Sequence, residues 1–335
     1  MSTPLTAASP FNAPVVDQLS VQVVVDSAYE RFMPAATHSF AKIEHVGKIP
    51  GRQMTTLACE WGLSLHLASK SKGETAEYLL DFGYTPEILN RNFDLLDINP
   101  AQLNGLILSH AHRDHYGGLE GFVDTFRHRM QSEMPFIIGG EGIFRERWTR
   151  GDGDEWVSWG ALDRTALTAQ NVDPVASEKP RALEGAFTSG YIERTSFENV
   201  TGGSMVAADD HYTEEERRGK LIKDEHPEEH ATCYIVQGRG LVVISSCGHT
   251  GIINTIQTAM RVTNVDKLHA VIGGFHLGTA KDDYIEHTLD GFEELEPDVV
   301  IPMHCSGVRF IEGMRRRMPE KLVTTNVGSR FILGV

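Results

Sequence analysis

Residues 106–119 read LILSHAHRDHYGGL. Leu106-Ile107-Leu108 is an apolar run of buried-strand type, and Gly117-Gly118 punctuates the chain before a helix-like segment. Between them stand His110, His112, Asp114 and His115. Side chains alternate faces along an extended segment, so His110 and His112 point the same way. If the chain then turns into a helix, Asp114 and His115 approach the same point from another side. Imidazole nitrogens and a carboxylate suit divalent ions, so His110 and His112 are expected to begin one metal site and Asp114 and His115 a second beside it. A polar loop that is merely His-rich is the plain alternative, but the full H-x-H-x-D-H spacing is far more specific than a pair of histidines.

HAHRDH after an apolar strand resembles the signature of the metallo-β-lactamase superfamily. Further stretches narrow the resemblance: CEWGLSLHL (59–67), TSGYIERTSF (188–197), SCGHTGIINT (246–255), HAVIGGFHLG (269–278) and VVIPMHCSG (299–307). Over most of residues 19–332 the chain resembles the branch containing the dihydropterin ribofuranosyl-aminobenzene phosphate synthases of methanopterin biosynthesis. That branch usually reads Gly-Cys where this chain has Ser246-Cys247. Many superfamily enzymes have Gly-Asp there, with the Asp bridging two metals. The resemblance implies an α/β (α+β) fold, a four-layer αβ/βα sandwich with its site along one edge. It also implies that Asp81, at the end of the strand-like run Thr75–Phe82, supports the metal-binding loop from behind; capping the next turn is its other reading.

Along the chain, residues 1–18 read as an extended arm and 19–335 as one domain. Leu19–Asp26 is strand-like, and Ser27–Met54 has no clear period and reads as a loop or lid. Thr55–Ser69 reads as strand, turn, strand, and Thr85–Leu96 as a helix opened by Pro86. Residues of about 140–218 lack periodicity, hold Trp148, Trp156 and Trp159, and read as an insertion covering the site, with Glu214–Arg218 a solvated run. The tryptophans line a pocket or simply pack the insertion onto the body. A hairpin turns at Gln237–Gly240, helices are expected over Thr250–Val262, Asp282–Leu295 and Arg309–Met318, and a last strand over Leu322–Thr325. The halves 19–139 and 219–335 would each supply a sheet and helices.

Three apolar strands in the second half each run into a histidine: His249, His276 and His304. Ligands gather at strand ends in open α/β structures, so His249 and His304 are expected to complete the metal sites. His276 is a ligand, a proton donor or a substrate contact, and Asp114 is the other candidate proton carrier. His230, with His226 as its rival, precedes a strand where many superfamily members keep another ligand. Cys247 either binds metal as a thiolate or packs as a small apolar group.

The charge of −15 argues against broad phosphate-backbone binding and hence against a nucleic-acid partner. The four cysteines form no C-x-x-C pair, which fits a reducing cytoplasm, and neither a membrane span nor a secretory signal is legible. The expectation is a dinuclear metallo-hydrolase with two divalent ions, zinc first and iron or manganese also fitting. A metal-activated hydroxide would attack an ester, lactone, amide or phosphoester of a small molecule. A synthase acting on a phosphorylated pterin-type substrate is the rival enzyme. A non-catalytic metal-binding sensor or partner-binding module is the reading from another class.

Overall fold

A computed structural model describes residues 11–207 and 221–334 of the chain. Residues 1–10 of the expected arm and the Glu214–Arg218 run lie outside the described residues. Two large sheets and one small one form among the described residues. The first has nine strands in the order Val172–Ala176, Met134–Ile138, Leu103–Leu108, Glu74–Leu80, Ser64–Ser71, Gln18–Val25, Ser329–Leu333, Ala41–His45, Ala36–His38. The second runs Arg181–Ala182, Phe187–Thr188, Thr232–Val236, Gly240–Ser245, Leu268–Gly273, Val299–Pro302, with Val15–Val16 also pairing on Thr232–Val236.

The sequence explains the layering. Val21, Leu65, Leu67, Leu80 and Ile107 of the first sheet meet Val242, Ile244, Ala270, Ile272 and Ile301 of the second in a buried core. The other face of the first sheet is covered by Pro86–Leu95 and Leu119–Phe126, through Leu89, Phe93, Phe122 and Phe126. The outer face of the second is covered by Ile252–Thr263, Asp282–Leu295 and Val308–Arg317, through Ile256, Leu289, Phe292 and Phe310. The central strands are apolar on both faces because helices lie outside and a second sheet lies inside. The result is a four-layer αβ/βα sandwich. No helix of the described residues is long and apolar enough to cross a membrane.

Several local readings are corrected. The Ser27–Met54 segment is not all loop: Ala36–His38 and Ala41–His45 form the edge of the nine-stranded sheet. The alternation in AKIEH is too short and polar to stand out, as edge strands often are. In Thr55–Ser69 only the second strand forms, Ser64–Ser71. The last strand is Ser329–Leu333, not Leu322–Thr325; Leu322 makes an isolated bridge to Val300. That strand pairs with Gln18–Val25, so the second half lends a strand to the first sheet rather than keeping all of its strands in its own.

The long segment after residue 139 is of two kinds. Val172–Ala176 extends the first sheet and Phe187–Thr188 joins the second, so these residues belong to the body. Trp156–Gly160, Arg147–Arg150, Met205–Ala207 and Leu221–Lys223 form a separate four-stranded sheet, which presents Trp159 to the motif histidines. Arg147 fastens it. This fully buried guanidinium donates to the carboxylates of Asp224 and Glu228 and to the carbonyls of Gly142 and Arg145 at 3.2 and 3.1 Å.

Candidate metal centre

Six strands carry polar side chains at their ends on one edge of the sandwich. Leu103–Leu108 leads into His110, after which the chain turns into the short helix Arg113–Tyr116. Glu74–Leu80 ends at Asp81, Gln18–Val25 at Asp26, and the strands of the second sheet at Cys247, His276 and His304. Asp81, His226, His276 and His304 all hold left-handed backbone, with φ of 58°, 48°, 48° and 50°. Each such turn costs about 1 kcal/mol or more, which the surrounding packing must offset.

The histidines converge. The His110 ring lies 4.2 Å from His115, 4.8 Å from His112 and 4.9 Å from His249, and His304 lies 4.9 Å from His115. His112 and His249 are 4.5 Å apart. Asp114 reaches the other flank, its Oδ2 3.4 Å from His304 Nε2 and 3.9 Å from His115 Nε2. Cys247 lies between the two groups, its sulfur within 4.8 Å of ligand atoms of His110 and His249 and also of His115 and His304.

Hydrogen bonds fix which nitrogen faces the centre. The Asp81 carboxylate accepts from Ser109 N–H and Oγ–H, both at 2.8 Å, and from His115 Nδ1–H at 2.7 Å. With its proton given to Asp81, the Ser109 oxygen accepts from His110 Nδ1–H at 3.0 Å. His249 Nδ1–H donates to the Thr201 carbonyl at 2.8 Å. His110, His115 and His249 therefore present bare Nε2 lone pairs, and these buried atoms have no hydrogen-bond partner among the described residues; His304 Nε2 has only the Asp114 carboxylate beside it. Buried polar atoms are seldom left unpaired. Here they are aimed at one another's neighbourhood, which fits a cation held in common.

Electrostatics agree. His110, His112 and His249 lie well below their ordinary pKa, first because burial disfavours the imidazolium and then because each faces other imidazoles. They are neutral donors. Asp114 is held well below the carboxylate range: burial raises its pKa, but His115 and His304 outweigh it. His304 is pushed up to about 9, burial opposing and the neighbouring Cys305 and Asp114 prevailing. That flank of the centre favours positive charge.

His276 stands beside this cluster, its ring 4.1 Å from His249 and its Nδ1 3.2 Å from the Cys247 sulfur. His230 does not join it: its Nε2 donates to the Leu108 carbonyl at 3.0 Å, beneath the motif strand. Its rival His226 does, stacked 4.2 Å from His249 and within 3.5 Å of Ser204 Oγ. Burial, against the pull of Asp224, pushes His226 down to about 4.

Sequence reasoning missed the residues that hold these histidines in place. Asp26 Oδ1 accepts from His304 N–H at 3.0 Å and from Ser27 N–H at 2.7 Å. The signal that picked out Asp81, an Asp ending a buried strand, was equally present at Asp26. Glu229 accepts from His249 N–H, Thr250 N–H and Thr250 Oγ–H at 2.7–2.9 Å. Ser204 Oγ lies 3.0 Å from His112 Nε2. Glu229 and Ser204 carried no signal, being single polar residues far along the chain from their partners.

The centre opens through a cleft of about 250 Å³, lined by Trp61, Tyr84, Arg113 and Trp159 above and by His112, Asp114, Cys247, His276, His304 and Cys305 below. The Trp61 ring is 4.8 Å from His304 and the Trp159 ring 5.0 Å from His112.

The architecture is the metallo-β-lactamase fold, and the motif resembles that of the superfamily. A sequence profile described as the Metallo-beta-lactamase superfamily matches residues 72–130. A crystal structure of a metal-dependent hydrolase of the beta-lactamase superfamily superposes with a TM-score of 0.66 at 22% identity, covering 93% of this chain and 98% of that one. Among curated proteins, the chain resembles the 7,8-dihydropterin-6-methyl-4-(beta-D-ribofuranosyl)-aminobenzene-5'-phosphate synthase of Methanocaldococcus jannaschii. The two are 28% identical over 285 residues, 79% of this chain and 91% of that protein. An uncharacterised protein of the same organism is 23% identical over 233 residues, 70% of this chain and 80% of its own length.

Proposed function

We propose that the protein is a dinuclear metal-dependent hydrolase of small molecules. His110, His112 and His249 would hold one ion and Asp114, His115 and His304 the second, with Cys247 between them. Zinc suits the imidazole-rich set, and iron or manganese the set with a carboxylate. Two such ions supply Lewis-acid polarisation of a carbonyl or phosphoryl oxygen and lower the pKa of a coordinated water. The observation that carries this reading is the gathering of Nε2 atoms of His110, His115 and His249 that lack a hydrogen-bond partner, beside a cleft lined by His112, Asp114, Cys247 and His304.

The chain's own residues do the rest. Asp81 and Thr201 fix the imidazole tautomers. Trp61, Tyr84 and Trp159 give the cleft flat apolar walls that exclude water and orient a substrate. Arg113, with its guanidinium 5.9 Å from the Tyr84 ring, supplies positive charge at the mouth. His276 lines the cleft with Nδ1 toward Cys247 and Nε2 toward Gly202, where no side chain stands. From there it can deliver a proton to a leaving group. Asp114 is instead engaged with His115 and His304.

The synthase reading is supported by the methanogen relative and by an arginine beside flat aromatic walls, an arrangement that fits a ring bearing an anionic group. One experiment separates these readings. Metal content per chain is measured for the wild type and for His112→Ala, and the metal-loaded protein is assayed on esters, lactones, amides, phosphoesters and phosphorylated pterins. The expected result is a sharp loss of metal in a still-folded variant, and wild-type turnover of one hydrolysable class. Unchanged metal stoichiometry would refute the centre. Turnover of pterin substrates alone would favour the synthase, and metal binding without any turnover a sensor or binding module.

A further inference from the structure

Cys247 and Cys305 lie 58 residues apart in sequence, yet their sulfur atoms are 3.1 Å apart. Cys247 ends one strand of the second sheet, and Cys305 follows the strand two places along it. The contact is built rather than casual. The Cys305 thiol donates to the Cys247 carbonyl at 3.4 Å, and His276 N–H donates to the Cys305 sulfur at 3.3 Å. Gly274 makes room, since a Cβ there would stand 2.7 Å from that sulfur. A buried free cysteine ordinarily packs as a small apolar group. These two instead pack on each other, and both border the open cleft, where a small oxidant can reach them. The other free cysteines, exposed Cys59 and buried Cys233, have no such pairing among the described residues.

We propose that Cys247 and Cys305 are a peroxide-oxidisable dithiol whose closure to a disulfide withdraws Cys247 from the metal centre and releases metal. In the first step one sulfur attacks hydrogen peroxide. An S–O bond forms, the O–O bond breaks, and the departing oxygen takes the thiol proton and leaves as water. In the second step the other sulfur attacks the sulfenic sulfur. The S–S bond forms, the S–O bond breaks, and the hydroxide leaves with the second thiol proton as water. Two thiols are oxidised by two electrons and one peroxide is reduced to two waters. A disulfide sulfur has no thiolate to offer a cation. Cys247 is the sulfur that lies within reach of both histidine groups. The release of metal rests on the metal-centre reading above, but formation of the disulfide does not.

The full chain carrying Cys59→Ser, metal-free and metal-loaded, is treated with a few equivalents of hydrogen peroxide. Peptide mapping by mass spectrometry reads the cross-link, and a chromophoric chelator reads released metal. Expected are a Cys247–Cys305 disulfide with loss of two hydrogens, no modification of Cys233, and metal release in step with the cross-link. Cys305→Ser and Cys247→Ser should each abolish the cross-link, with circular dichroism confirming that the variants fold. Sulfinic acid on either cysteine of the Cys59→Ser chain without a cross-link would overturn the dithiol. A disulfide that forms while metal stays bound would overturn the withdrawal of Cys247 and leave the dithiol standing.

Discussion

Exchanging Asp81 for Asn keeps the shape of the side chain and suits the left-handed backbone at this position, φ 58°. It changes only what the two terminal atoms can do. In the wild type three donors enter the carboxylate: Ser109 N–H, Ser109 Oγ–H and His115 Nδ1–H, all at 2.7–2.8 Å. An amide has one accepting atom. If its nitrogen faces His115 and Ser109, His115 must move its proton to Nε2, and Ser109 no longer orients His110. If it faces the backbone, two N–H groups confront each other. Either way one charge-assisted hydrogen bond is lost inside a fully buried site, a cost of about 2 kcal/mol in folding stability. Loss of the bond that sets a ligand's tautomer weakens metal binding roughly 10–100-fold. Urea unfolding of the metal-free protein reads the first quantity, and competition with a chromophoric chelator the second. Metal affinity within about twofold of the wild type, well short of that range, would show that Asp81 does not set the histidine tautomers.

Arg147→Met leaves Asp224 and Glu228 buried without their cation and should cost about 3–5 kcal/mol in urea unfolding; a loss below about 1 kcal/mol would deny that Arg147 fastens the small sheet. Gly202→Val places a Cβ 3.2 Å from His249 Nδ1 in a backbone of φ +112°, and should lower metal affinity about tenfold by displacing the ring. Gly203→Ala, with open space around the new Cβ, should leave that affinity unchanged in the same titration. Glu198 accepts Asn254 N–H at the start of Ile252–Thr263, and burial, against those backbone bonds, pushes it up from 4.5 to about 7. The folded state then keeps a proton that the unfolded chain gives up between pH 4.5 and about 7, so stability falls as pH rises through that window. Glu198→Gln should remove a slope worth roughly 3 kcal/mol across it, measured by urea unfolding at pH 5 and pH 8.

Much of the candidate site was legible because its histidines and aspartates are tied to local pattern. A buried strand announces itself by composition, and a histidine or aspartate where the apolar run stops is visible in one pass. That logic picked out His110, His112, Asp114 and His115 from one short stretch. It then added His249, His276 and His304 from three separate strand ends, and these are the side chains the fold assembles. It ranked His230 above His226, whereas the fold stacks His226 on His249 and turns His230 to the Leu108 carbonyl; both precede the same strand, and four residues of sequence do not say which side of the motif each will meet.

By itself the sequence determined the central strands, the long helices and the turns that carry imidazoles, since these follow from side-chain periodicity and from neighbours a few residues away; the polar edge strands and the last strand do not. Only the tertiary structure decided that Cys305 meets Cys247, that Asp26 holds the turn of His304, and that Glu229 holds the turn of His249. It also decided that the final strand crosses to the first sheet. These contacts depend on which strand ends lie side by side. That order is set by the packing of whole sheets and helices, in which each residue contributes to burial but none carries the address of its partner.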